Sequence, residues 1–156
     1  MKLRIVAVGR AKAGPEKTLL ETYAKRLTWP LSVEEVEEKR PLSGDALKSR
    51  EADLLLAAVD GKKATQRVVI ALDEHGKSMT SRELAKRIGQ LKDQGVGEIV
   101  FLIGGVDGHG KAVLDRADLK LSLGAMTWPH MLVRAMLAEQ LYRAQQILAG
   151  HPYHRD

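Results

Sequence analysis

The chain contains no cysteine. That absence excludes disulfides, cysteine-ligated metals and thiol nucleophiles, and it suits a reducing, cytosolic setting. No run of about 18 consecutive apolar residues occurs, so no segment is expected to span a bilayer. The opening MKLRIVAVGR is too short and too soon interrupted by charge to serve as a secretory signal. No repeat, low-complexity segment or linker divides the 156 residues. The expectation is therefore one domain, 1–156, with one core. Two nucleotide fingerprints are missing as well. G-x-G-x-x-G does not occur. The run from Gly105, G-x-x-x-x-G-K-A, has Ala112 where a phosphate loop needs the hydroxyl of Ser or Thr.

What is present is an ordinary globular inventory with a basic bias. Apolar residues make up 44% of the chain, enough for a packed interior. Lys and Arg number 25 against 20 Asp and Glu, a formal charge of +5. Two readings of that excess stay open: a polyanionic partner such as nucleic acid, or a mildly basic solvated surface.

Apolar runs at 2–9, 67–72 and 98–103 read as buried strands. The alternation from Leu31 to Glu38 reads as a half-exposed edge strand, and Leu119 to Leu123 as a short one. Between them the pattern predicts helices from Pro15 to about Trp29, from Asp45 to Val59, from an N-cap at Ser81 to Gly95, and from Lys111 to Ala117. Strands separated by helices predict an α/β fold, a parallel-type sheet with helices on both faces.

A last helix runs to about Ala149 with Pro129 in its first turn. It is apolar almost all round, with Leu132, Val133, Met136, Leu137, Leu141, Ile147 and Leu148. Either it is buried on two sides, by its own sheet and by a partner subunit, or it is central to one core. Glu139 and Arg143 are spaced to pair at i, i+4. Together with Arg134 they are either such helix pairs or part of the chemistry.

Three stretches carry the functional signal. FLIGGVDGHGKAV, 101–113, sends a strand into successive glycines, which let backbone amides approach a ligand. A plain strand-to-helix turn is the competing reading. LSLGAMTWPH follows at 121–130, and the chain closes with HPYHRD. That ending is either a frayed tail or a set of donors reaching into an active site. A metal-binding pair of His151 and His154 is disfavoured because no further ligands stand nearby.

Together, FLIGGVDG, LSLGAMTWPH, LVRAMLAEQLYRA and HPYHR, with KLRIVAVGR and VVIALDEHGK, resemble the bacterial ribosomal large-subunit pseudouridine N3-methyltransferases of the SPOUT class. The resemblance covers essentially the whole chain and is weakest from Gly44 to Lys63. It implies a C-terminal deep trefoil knot, which periodicity could not have shown. It implies S-adenosyl-L-methionine as methyl donor, with no metal. The donor would be held by Leu72, Gly104, Leu123, Gly124, Ala125, Met126, Thr127 and Trp128. It implies a cytoplasmic homodimer that methylates N3 of pseudouridine 1915 in 23S rRNA of the assembled ribosome.

The acceptor nitrogen must lose a proton as it gains the methyl group. His130, beside the cofactor segment, and Tyr153, His154 and Arg155 of the tail are the candidate catalytic residues. Lys111 reads as a solvated helix residue. Gly124 and Val106 depart from the family pattern, which commonly has serine at the first and proline or a small residue at the second. Two other functions remain in view: a non-catalytic ribosome-associated RNA-binding protein, and a nucleotide-binding enzyme using Gly105 to Lys111.

Overall fold

The computed structural model describes residues 1–155. Five strands form one sheet in the order β2-β1-β4-β3-β5. They are β1 (Lys2–Val8), β2 (Leu31–Val36), β3 (Arg67–Ser78), β4 (Glu98–Ile103) and β5 (Leu119–Ser122). Every pairing is parallel. Five helices connect and follow them: α1 (Pro15–Arg26), α2 (Gly44–Asp60), α3 (Ser81–Asp93), α4 (Lys111–Arg116) and α5 (His130–Leu148).

Strand alternation sorts the core into two layers. Leu3, Ile5 and Ala7 of β1, with Ile99, Phe101 and Ile103 of β4, face α1, α3 and α5. Val6, Val8, Val69, Val100 and Leu102 face α2 and α4. The central strands are buried on both faces and are apolar on both, as a covered parallel sheet requires. The expected α/β architecture is what forms.

Several boundaries differ from the sequence expectation. Helix α3 is capped by Thr80, one residue earlier than Ser81. Thr80 accepts the Glu83 N–H while the Glu83 carboxylate accepts the Thr80 N–H, a reciprocal box that Ser81 could not make with the same glutamate. Pro129 is the N-cap of α5 rather than a residue of its first turn. Helix α1 stops at Arg26, because Leu27 has turned to extended backbone.

The largest departure is β3, which does not end at Asp73. Leu72 pairs with Leu121, and after an irregularity Lys77 pairs with Leu121 again. The residues between bulge out of the ladder. Gly76 permits the return, since a Cβ there would lie 2.7 Å from the Lys120 carbonyl group. The bulge throws Asp73, Glu74 and His75 toward the carboxyl end of the sheet.

Buried charge ties each end of the sheet. At the amino end, Arg4 reaches Glu98 at 3.4 Å, Glu34 at 3.1 Å and the Ala58 carbonyl at 2.7 Å. At the carboxyl end, Arg134 of α5 donates to Glu35 at 2.5 Å and to the Val8 and Gly9 carbonyls at 3.2 and 3.0 Å. Burial would raise the Glu35 pKa, but Arg134, the Ala11 N–H and Arg10 together hold it below the usual carboxylate value.

Glu35→Ala would strip the acceptor from both Arg134 and Ala11. A loss of about 2–3 kcal/mol in urea unfolding at neutral pH is expected, below that of a fully buried pair because Glu35 is partly solvated. A depressed folded pKa stabilises above the unfolded value and ceases to do so as pH falls through the folded one. The gap between wild type and variant should therefore narrow on acidification. A gap that is constant with pH would show the carboxylate charge to be irrelevant.

Candidate functional site

The carboxyl ends of β3, β4 and β5 open into a cavity of about 840 Å³. Parallel sheets place ligands at this edge. Three segments wall it: the bulge from Leu72 to His75, the glycine loop from Ile103 to His109, and the segment from Leu123 into the first turn of α5. Of the eight expected cofactor residues, seven line it: Leu72, Gly104, Leu123, Gly124, Met126, Thr127 and Trp128. Ala125 is not among the lining residues. His130 joins the wall at the start of α5.

The loop glycines are there for two reasons. A Cβ on Gly104 would meet the Gly108 carbonyl carbon and oxygen at 3.1 Å and His109 Nδ1 at 3.2 Å. The crowding comes from the loop itself and not from ligand space. A Cβ on Gly105 would meet the Glu51 carboxylate at 3.0 Å. Gly108 and Gly124 have room but take φ of +79° and +113°, a region that favours glycine. A serine at Gly124, which the resemblance led one to expect, would be strained in this conformation.

His109 escaped the sequence reading, although it stands in the stretch singled out there. It is buried in the cavity wall, and its Nε2 lies 3.1 Å from the Leu102 carbonyl. Burial lowers its pKa more than the Leu102 and Leu72 carbonyls and Asp73 raise it. The neutral ring donates from Nε2 and leaves the Nδ1 lone pair without a hydrogen-bond partner. A polar residue alone between two glycines behind a buried strand was the signal available.

The mouth is apolar. Val106, Met126 and Trp128 are 82%, 73% and 40% exposed. Large apolar groups gathered at one opening mark a surface that something covers. Val106, the second departure from the family pattern, therefore sits on the rim and not in the backbone lining. The Trp128 indole N–H donates to the Leu123 carbonyl at 3.4 Å, which fixes the ring across the segment.

The tail lies elsewhere. Tyr153 donates its hydroxyl to Glu139 at 3.0 Å and sets its ring edge-on to Tyr142, with centroids 4.8 Å apart. Arg143 bonds Glu139 at 2.6 Å, approaches His154 Nδ1 at 3.0 Å and lies over the Tyr153 ring. Burial first, then the Glu139 and Tyr23 hydrogen bonds, push the Tyr153 phenol well above its usual pKa. Arg155 is exposed. None of Tyr153, His154 and Arg155 lines the cavity of their own chain. The Glu139–Arg143 pair forms as spaced, whereas Arg134 points away from its helix to the end of β1.

A second cavity, of about 480 Å³, lies between α1, α3 and α5. It shares Leu121, Leu123 and Gly124 with the first and is bordered by Glu139. Lys111 is exposed and pairs with Asp115, as a solvated helix residue does. Among the described residues no group of three or more His, Asp or Glu is placed to hold a metal ion, and no helix is long and apolar enough to cross a membrane.

The family described as "Predicted SPOUT methyltransferase" matches the chain over residues 1–154. The chain is 58% identical to "Ribosomal RNA large subunit methyltransferase H" of Paramagnetospirillum magneticum, over 99% of each chain. It is 54% identical to the protein of the same name from Rhodospirillum rubrum, over the full length of both. Among solved structures, a probable methylase family protein from Haemophilus influenzae shares the fold, with a TM-score of 0.59 and 14% identity over 99% of this chain and 70% of that one.

If crowding explains Gly104, then Gly104→Ala should destabilise the ligand-free protein. Forcing a methyl group into a packed loop costs about 1–3 kcal/mol. Denaturant unfolding without added ligand measures this directly. An unchanged midpoint would mean that the loop relaxes freely and the contacts with Gly108 and His109 do not matter.

Proposed function

The chain belongs to the SPOUT methyltransferase family, and from that premise we propose that it transfers a methyl group from S-adenosyl-L-methionine to N3 of a pseudouridine in large-subunit rRNA. The observation that carries this reading is the cavity at the carboxyl ends of β3, β4 and β5, with a glycine loop on one side and an apolar rim. Its volume suits a nucleoside-sized ligand. Its wall supplies backbone groups of the glycine loop and apolar contacts from Leu72, Leu123 and Met126, a lining that fits an adenosyl group better than a triphosphate. With Ala112 in place of a hydroxyl and Lys111 turned to Asp115, support for a phosphate loop is lacking.

Bound there, S-adenosylmethionine supplies an electrophilic methyl group on a sulfonium. The protein's part is then positioning and proton handling. Leu72, Gly104, Leu123, Gly124, Ala125, Met126, Thr127 and Trp128 are proposed to hold the donor. His130 stands at the cavity edge, where an acceptor base would enter. Tyr153, with its raised pKa, keeps its proton and serves as a hydrogen-bond donor. His154 or His130 remains to take the N3 proton, and Arg155 to steady the charge that develops.

In this reading the protein is a cytoplasmic homodimer with a knotted C-terminal region. The tail of one subunit completes the cavity of the other. Support comes from the half-buried Leu132, Val133, Met136 and Ile147 of α5 and from the exposed rim, apolar surfaces that a partner would cover.

Ligand-dependent stability tests the site. A ligand that binds only the folded state adds about 2.7 kcal/mol at 100 times its dissociation constant. S-adenosylmethionine should raise the melting temperature and ATP should not. An equal shift with ATP would return the phosphate-loop reading.

Deletion of residues 152–156 tests the tail. Loss of the Tyr153 contacts should lower stability by about 1 kcal/mol, sedimentation should still give a dimer, and methylation of ribosomes should fall steeply. Full methylation by the truncated protein, or a monomer for the intact one, would remove the tail from the mechanism.

A further inference from the structure

Resting on the reading of the chain as an rRNA methyltransferase, we propose that Arg40 and Arg50, gripped by the recessed carboxylate of Glu38, form a binding site for a phosphate of the RNA backbone beside the cavity. The segments that leave the carboxyl ends of β1 and β2, residues 9–17 and 37–50, carry seven Lys and Arg against four Asp and Glu. That is a net excess of three out of the chain's five. The cavity opens from the same edge of the sheet, at the neighbouring β4, β3 and β5.

The trio is built rather than scattered. Glu38 is recessed, with its side chain only 6% exposed. Its Oε1 accepts the Arg40 Nε–H at 2.9 Å and the Arg40 backbone N–H at 3.0 Å. Its Oε2 accepts the Arg50 Nε–H at 2.8 Å and Arg40 Nη2 at 3.3 Å. Arg40 first, and Arg50 after it, hold the Glu38 carboxyl far below the usual carboxylate range, at about 2. Both guanidiniums are thus fixed along one side while they remain in solvent, 64% and 42% exposed. Arg50 spends only Nε on Glu38, and its two Nη groups have no partner among the described residues. Nη1 of Arg40 is open likewise. The neighbouring acids are already engaged, Glu37 by Arg10 at 3.0 Å and Glu35 by Arg134.

A planar guanidinium with open N–H groups in a fixed fork matches the oxygens of a phosphate. Fixing by Glu38 removes in advance much of the side-chain entropy that binding would otherwise cost. Position selects the RNA backbone as the source of that phosphate. Lys48 lines the cavity, and Arg50 stands two residues on, about 3 Å further along the axis of α2. Glu51, the next residue, turns the other way and abuts Gly105 of the glycine loop. One helix therefore joins the cavity wall to the guanidinium pair. A strand whose acceptor base enters the cavity carries its neighbouring phosphates past that pair. Such a contact fixes register and strengthens binding without reading sequence.

Binding of the full chain to ribosomes, titrated from about 0.05 to about 0.2 M salt, tests this. Arg40→Gln and Arg50→Gln each keep an N–H donor for Glu38 and drop the charge. Each should weaken ribosome binding about fivefold at about 0.1 M salt, and lower the slope of log affinity against log salt by about 0.7–0.9. Arg50→Lys, which keeps the charge without the fork, should restore the slope and only part of the affinity. Affinity of the same proteins for S-adenosylmethionine, measured by calorimetry, should not change. Lys63→Gln, beyond the far end of α2, removes one charge and should leave ribosome binding as it was. Arginine variants that bind ribosomes as wild type does, or an equal effect of Lys63→Gln, would overturn the proposal. A parallel loss of donor affinity would make the trio a staple between the β2 loop and α2, and would overturn it too. So would competition by a polyglutamate peptide equal to that by an RNA oligonucleotide of the same charge. Failure of the wild-type protein to bind ribosomes would instead overturn the underlying reading of the function.

Discussion

A guanidinium that is almost fully enclosed must find acceptors or cost several kcal/mol, and Arg134 finds all of its partners outside its own helix. Glu35 at the end of β2 and the carbonyls of Val8 and Gly9 at the end of β1 receive it. Gly9 has a φ of +97°, which turns the chain at the end of β1. A Cβ there would touch Met131, two residues after Pro129, at 3.4 Å. The beginning of α5 is thus fastened to the carboxyl edge of the sheet. His130 and Val133, one turn from Arg134, take their places in the cavity wall as a consequence. The same Glu35 accepts the Ala11 N–H, so the loop after β1 is held by the same charge.

Much of this arrangement was legible in the residues. Hydrophobic period alone gave ten elements in their observed order, because buried parallel strands must be apolar on both faces and their covering helices must not be. The glycine loop and the LSLGAMTWPH segment were recognisable as ligand-facing, and they do converge on one cavity. Three things were not legible. The β3 bulge leaves no mark in periodicity, since DEHGKS reads as a turn and only the Lys120 backbone reveals why Gly76 is needed. Arg134 looked like one more helix charge, because its partners lie about a hundred residues away. The resting place of the tail was not visible either: within its own chain it packs on Glu139 and Tyr142.

Charge is distributed against the grain of composition. The sequence as a whole carries a net charge of +5, while the cavity wall holds Asp73, Glu74 and Asp107 against Lys48. Acidic side chains are gathered where two irregular segments, the bulge and the glycine loop, face each other. The sign of the charge at the cavity is therefore opposite to that of the chain as a whole. It also explains why net charge by itself was ambiguous as a guide to function.

The bulge in β3 has a mechanical meaning. Leu72 and Lys77 both pair with Leu121, so the intervening residues form an arch with its two feet on a single stone. Such an arch cannot lengthen by sliding either foot, and it cannot be shortened without breaking a strand. Whatever enters beneath it must adapt to its span. The rim built of Val106, Met126 and Trp128 is instead exposed, held only by the Trp128 bond to the Leu123 carbonyl. The pocket is therefore walled unequally: backbone pairing holds one side and exposed side chains form the other.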